Sequence, residues 1–225
     1  MRTAKQPVIL PETPPAAIYD ARCRRCPRLA EFLDGVHAVH PTYWCRPVPP
    51  FGDANARFVI VGLAPGMHGA NASGRPFTGD YAGILLYATL HAFGFASSPL
   101  ATGRDDGLVL RDCRISNAVK CLPPANKPTP AEIRTCNDYL RADLALLPAG
   151  GVILALGRIA HDATLRALGA KPGAHPFAHG ARHALPRATL FDSYHCSRYN
   201  TNTRRLTEPM FHDVFRAVAA SLGRA

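Results

Sequence analysis

Asp80 and His195 are the two residues placed where side-chain chemistry could act on a ligand. Asp80 ends the run Gly62-Leu-Ala-Pro-Gly-Met-His-Gly-Ala-Asn-Ala-Ser-Gly-Arg-Pro-Phe-Thr-Gly-Asp80. That run offers backbone N–H groups around Gly62, Leu63, Ala64 and Gly66, polar side chains at His68 and Asn71, and the ring of Phe77. The inventory suits a planar polar ligand: a ring to stack, amides to hydrogen-bond, and a carboxylate to steer water. It is neither a Walker loop nor GxGxxG. A structural Ω-loop with Asp80 capping the next helix is the competing reading. His195 opens His195-Cys-Ser-Arg-Tyr-Asn-Thr-Asn-Thr-Arg-Arg-Leu-Thr207. An imidazole there can donate to a carbonyl oxygen that gathers charge as a bond breaks. Arg198, Arg204 and Arg205 can meet phosphates, and Arg198 or Tyr199 can enter a base stack. His37, His40, His161, His175, His179, His183 and His212 read as structural.

Cysteines form a third constellation. Cys23-x-x-Cys26 lies near the start, and Cys121 and Cys136 follow much later. Four thiolates suit zinc or an iron–sulfur cluster, and the loose second pair favours a cluster. A chance pair plus two buried thiols is the alternative. Cys45, Cys113 and Cys196 are left without a ligand role.

The elements that must carry these groups alternate along the chain. Four short apolar runs, 57–63, 113–120, 151–156 and 188–194, read as buried parallel strands. Helical patterns fall at 81–93, 129–147, 158–168 and 207–222, with Thr129-Pro-Ala-Glu132 as a capping box. A further helical stretch is expected over 16–34, interrupted by the CxxC, and residues 40–56 read as ordered but irregular. Residues 1–15 read as an extended proline-rich tail, and 16–225 as one α/β domain. Strand–helix alternation gives a parallel sheet covered on both faces, with ligands beyond the carboxyl ends of its strands. Those ends are residues 64–80, 117–128 and 195–206, where the unusual residues gather.

The 225 residues carry 26 Lys+Arg against 16 Asp+Glu, a formal charge of +10. Only Lys5, Lys120, Lys127 and Lys171 are lysines, so arginine dominates, as suits phosphate recognition. No apolar run approaches a membrane span, and the start shows no secretion signal, so a cytoplasmic, nucleoid-associated, monomeric protein without a protein partner is expected.

Together the motifs resemble the uracil-DNA glycosylase superfamily, in particular family five, the type-B iron–sulfur enzymes. The resemblance rests on Cys23-x-x-Cys26, RPVPPFGD at 46–53, the 62–80 loop, KCLPPANKPTP at 120–130 with Cys136, and the 195–207 loop. It implies a three-layer α/β/α fold around a four-stranded parallel sheet, and a structural 4Fe–4S cluster on Cys23, Cys26, Cys121 and Cys136. It implies hydrolysis of the N-glycosidic bond of uracil, and of hypoxanthine or other deaminated bases, in DNA. On that reading Asp80 orients water, His195 steadies the departing base, Phe77 stacks on it, and Asn117 or Asn126 reads its edge. Arg75, Arg198, Tyr199, Asn200, Arg204 and Arg205 would meet DNA. The near-absence of lysine from the functional loops predicts a monofunctional enzyme. Two departures stand out: Cys45 replaces an expected Gly, and Cys196 an expected Pro. The alternative is a non-catalytic, metal-stapled nucleic-acid-binding module.

Overall fold

The computed structural model describes residues 19–224, so the predicted tail at 1–15 lies outside the described residues. Six strands form one sheet: β1 (Phe51–Gly52), β2 (Phe58–Gly62), β3 (Cys113–Asn117), β4 (Gly151–Leu156), β5 (Arg182–Ala184) and β6 (Ala188–Ser193). The spatial order is β1-β3-β2-β4-β6-β5. The four expected strands are the inner ones, and all pair in parallel. The expected central four-stranded parallel sheet is extended at both margins, where β1 and β5 pair antiparallel with β3 and β6. Strands of two and three residues are too short to show alternation in a sequence.

The helices are α1 (Pro27–Val39), α2 (Ala70–Ser73), α3 (Tyr81–Ala92), α4 (Pro130–Ala145), α5 (Arg158–Ala167), α6 (Arg198–Asn202) and α7 (Glu208–Ser221). The pleat of β2 sorts its residues between two cores. Phe58 and Ile60 face Leu86 and Leu90 of α3 and Phe211 and Phe215 of α7. Val59 and Val61 face Leu140 and Leu144 of α4 and Ala160 and Ala163 of α5. Period two on a strand and 3.6 on a helix produce that sorting directly. Helix α1 starts after the CxxC rather than running through it, with Pro27 at its first turn.

The second strand looked the least apolar because of Arg114. Its guanidinium is buried but matched: an ion pair to Asp143 on α4 at 2.8 Å, and hydrogen bonds to the carbonyls of Asp53, Ala54 and Asp143. A charge so placed is tolerated because it is paired. The predicted capping box at Thr129 is present, with Glu132 N–H donating to Thr129 Oγ1 at 3.2 Å and Thr129 N–H donating to Glu132 at 2.7 Å. Thr129→Ala is expected to lower stability by about 1 kcal/mol in a urea titration.

Candidate active site and cysteine site

Three strand ends bring candidate residues together in one site. From β2 comes Gly62, where a Cβ would meet Asn117 Oδ1 at 2.5 Å and the Phe77 ring at 2.7 Å. Glycine is therefore required for the amide of Asn117 and the ring of Phe77 to pack against the backbone. Asn117 ends β3, is buried, and its Oδ1 has no hydrogen-bond partner among the described residues. An orphaned buried amide oxygen costs free energy unless a ligand meets it. The Phe77 ring faces the His195 ring across 5.9 Å between centroids, with planes 28° apart. Phe77 itself sits at φ +54, in the left-handed region. A non-glycine residue there is held by its surroundings, a common trait of functional turns.

Asp80 takes the helix-capping place that the competing reading gave it. Its side chain caps α3, accepting from Gly83 N–H at 3.0 Å. Its carboxylate also lies against Gly66 and Gly69 of the same loop. Burial raises its pKa above the ordinary carboxylate range, while the N–H groups of Gly83 and Ala82 offset part of the rise. The N–H groups of Ala64, Gly66 and Met67 have no backbone hydrogen-bond partner among the described residues. They remain free to donate to a ligand.

His195 follows β6 and is only partly exposed. Burial lowers its pKa to about 4, so its ring is neutral at pH 7. Its backbone carbonyl accepts from Asn200 Nδ2 at 2.8 Å, so Asn200 helps to shape the loop. The adjacent Cys196 is wholly buried, with the charge of Asp80 and desolvation both raising its thiol pKa. Residues 80 and 195–196 therefore share one side of the pocket.

Several expected ligand contacts are corrected by their surroundings. Arg75 does not face outward: it is 3% exposed and forks onto Asp106 at 2.8 and 2.5 Å, with Nε on Thr78. Asp106 is too distant in sequence for that pairing to be read locally. Asn71 is not among these corrections: its Nδ2 lies on Cys45 Sγ, holding residues 44–45 against the loop, while its buried Oδ1 has no partner among the described residues. His68 is exposed and hydrogen-bonded to Tyr43 at 2.9 Å, on the outer rim. Asn126 is exposed on the 3-10 turn Pro124–Asn126, which leaves Asn117 as the amide in the pocket. Cys45, standing where glycine was expected, has φ +42.

Beside the pocket, α6 presents a basic aromatic surface. Arg198 lies 4.9 Å over the Tyr81 ring and Arg205 4.6 Å over Tyr194. Tyr199 is 70% exposed, and Arg204 is exposed. The role of Tyr81 and Tyr194 as platforms was not legible, because both precede or end other elements.

The four cysteines Cys23, Cys26, Cys121 and Cys136 line one cavity with Leu29, Ala30, Val119 and Tyr139. Burial raises the thiol pKa of Cys26, Cys121 and Cys136, and the neighbouring thiolates raise each further. A positive centre would relieve that crowding. A single zinc holds thiolates at ~2.3 Å and so brings any two sulfurs within about 4.6 Å of each other. No three of these sulfurs lie within 4.8 Å of one another among the described residues. Four thiols around one cavity are a donor set suited to a metal centre. Arg28 joins the supporting helices by donating twice to Glu132, both at 2.8 Å.

Comparison with known proteins decides the lineage. Residues 49–219 match the Uracil DNA glycosylase superfamily. The chain belongs to that superfamily. It is 48% identical over 198 residues to a type-5 uracil-DNA glycosylase of Thermus thermophilus, covering 85% of this chain and 90% of the relative. A type-5 uracil-DNA glycosylase of Pyrobaculum aerophilum is 42% identical over 205 residues, 89% of each chain. A type-4 uracil-DNA glycosylase of Archaeoglobus fulgidus is 36% identical over 140 residues, covering 61% of this chain and 56% of the relative. The superfamily assignment agrees with the mixed α/β sheet and the resemblance of the loops. No helix among the described residues is long and apolar enough to cross a membrane.

Proposed function

We propose that this superfamily member is a monofunctional DNA glycosylase that releases uracil, and also hypoxanthine or related deaminated bases, from DNA. The observation that carries the reading is the unpartnered Asn117 Oδ1 beside Phe77, with His195 facing the Phe77 ring and Asp80 heading the helix whose first turn packs on Phe77. A base in a duplex is unreachable, so its nucleotide rotates out at a cost of a few kcal/mol. Phe77 supports the plane of the base, and Asn117 hydrogen-bonds its polar edge. The bond between C1′ and the ring nitrogen breaks, its electron pair leaves with the base, and charge spreads onto the base carbonyls. Neutral His195 and the N–H groups at Ala64, Gly66 and Met67 stabilise that charge. Asp80 orients water toward C1′, takes its proton, and favours the oxocarbenium-like sugar.

Cys23, Cys26, Cys121 and Cys136 hold a structural 4Fe–4S cluster on this reading. The mutual crowding of the thiols and the sulfur spacing support it. Bound there, the cluster supplies a charged staple rather than redox chemistry. Val119 N–H donates to Leu63 O at 2.9 Å, and Ala118 N–H to Gly62 O at 2.9 Å, linking the cysteine strand end to the pocket.

Two observations support a hydrolase over a lyase. Lys120 is 2% exposed with Nζ on Ser116, and Lys127 is exposed on the rim. Neither offers a free amine in the pocket. Incubation with a uracil-containing duplex should leave alkali-labile sites and no adduct trapped by borohydride. Intact uracil strands, or a trapped adduct, would overturn the proposal. Arg198→Ala and Arg205→Ala should each weaken binding to an abasic duplex, with the salt slope of log K reduced by about 1 per lost phosphate contact. Fluorescence anisotropy across a salt series measures both.

A further inference from the structure

At the sheet margin remote from the cysteines, three side chains that read as structural in the sequence come together. His161 of α5, His183 of β5 and Asp192 of β6 each offer a ligand atom, and all three atoms lie within 4.8 Å of one another. Asp192 and His161 have side chains 0% exposed, and His183 10%. Asp192 receives one imidazole on each oxygen, His161 Nδ1 at 2.7 Å and His183 Nε2 at 2.9 Å.

The second nitrogen of His161 decides the reading. Its Nε2 lies 2.8 Å from the carbonyl oxygen of His175. A carbonyl only accepts, so Nε2 carries the proton. A neutral ring then turns the Nδ1 lone pair inward, toward a carboxylate that repels it. A proton or a metal ion must occupy the gap. Metal-bound histidines are usually oriented in this way, with the distal N–H given to a carbonyl. The His175 ring stands 5.5 Å from that of His183, edge to face.

We propose that His161 Nδ1, His183 Nε2 and the Asp192 carboxylate form a zinc site distinct from the cysteine cavity. Two imidazoles and a carboxylate are a borderline donor set suited to Zn²⁺. Ligands of one zinc sit roughly 3–3.5 Å apart given bonds of ~2.0–2.2 Å, so His161 Nδ1 and His183 Nε2, now 2.7 and 2.9 Å from the Asp192 oxygens, need to move outward only slightly to admit the ion. The ion would fasten the η-turn Pro172–Ala174 and β5 to α5 and β6, a structural rather than catalytic duty. Nothing in this assignment depends on the glycosylase reaction.

The test uses purified protein with its cysteine site filled, treated with EDTA, supplied with Zn²⁺ and desalted. Elemental analysis should find one Zn²⁺ per chain, and none in His183→Ala or Asp192→Asn. Thermal unfolding should rise by about 5–10 °C at zinc near 100 times the dissociation constant, and only in the unsubstituted protein. His183→Ala lies on the short edge strand, and its melting temperature without zinc shows whether it is folded. Zinc retained equally by His183→Ala, or no zinc retained by the unsubstituted protein, overturns the site. A melting temperature that ignores zinc does the same, and leaves an imidazolium–carboxylate pair in its place.

Discussion

Asp80→Asn should lower the single-turnover rate on uracil duplex by about 10²–10⁴-fold, the usual worth of a positioned acid–base group, while leaving stability nearly unchanged. The second half of that statement follows from the double duty of the residue. Asp80 Oδ1 accepts the N–H of Gly83 and so caps α3. Asparagine caps a helix about as well as aspartate, so the amide keeps the fold while removing the charge proposed to orient water. Asp80→Ala, in contrast, removes both and adds about 1 kcal/mol of destabilisation. Comparing the two in parallel rate and urea measurements separates chemistry from capping. A near-normal rate for Asp80→Asn would confine the residue to the helix terminus.

His195→Ala should cost about 10²–10³-fold in the same rate, as for loss of one preorganised donor, with duplex affinity retained. The accompanying pH dependence is distinctive. The folded His195 titrates near 4 against 6.5 for a free imidazole, because burial penalises its charged form. The unfolded chain therefore binds the extra proton between pH 6.5 and 4. Stability from this group is complete above pH 6.5 and is lost as pH falls through that window. At 1.36 kcal/mol per pKa step, discounted for the ring's partial exposure, the loss is about 1–3 kcal/mol. Melting temperature should thus fall more steeply from pH 7 to 4.5 in the unsubstituted protein than in His195→Ala. Equal slopes would mean that the ring is solvated in the folded state. The rate profile should show no inflection near 6.5 from this residue, since it stays neutral throughout.

What could be read from the chain before folding was chiefly local. The inner strands were legible because each is a short, fully buried run bounded by turns, and Thr129 and Glu132 announced their cap by spacing alone. The capping position of Asp80 was legible from the helical pattern that follows it, and the place of His195 from the apolar strand before it. The failures share a physical cause, which is pairing across long sequence separations. Arg75 looked like a phosphate ligand until Asp106 neutralised it from another loop. The contact of Asn71 Nδ2 with Cys45 Sγ also joins distant parts of the sequence. Choosing Asn117 over Asn126 needed the neighbourhood of Gly62 and Phe77, which sequence order does not disclose. His161, His183 and Asp192 are likewise unrelated until β5 lies along β6.

One close approach restricts how this catalyst could be altered. At Gly83, in the first turn of α3, a Cβ would collide with the carbonyl oxygen of Phe77. The aromatic shelf and the carboxylate that starts the helix are thus one rigid piece, and neither can be retuned alone. Variants selected for a wider or narrower range of lesions should accordingly accumulate changes at the mouth, around Leu63, Met67 and His68, and leave residues 77–83 untouched.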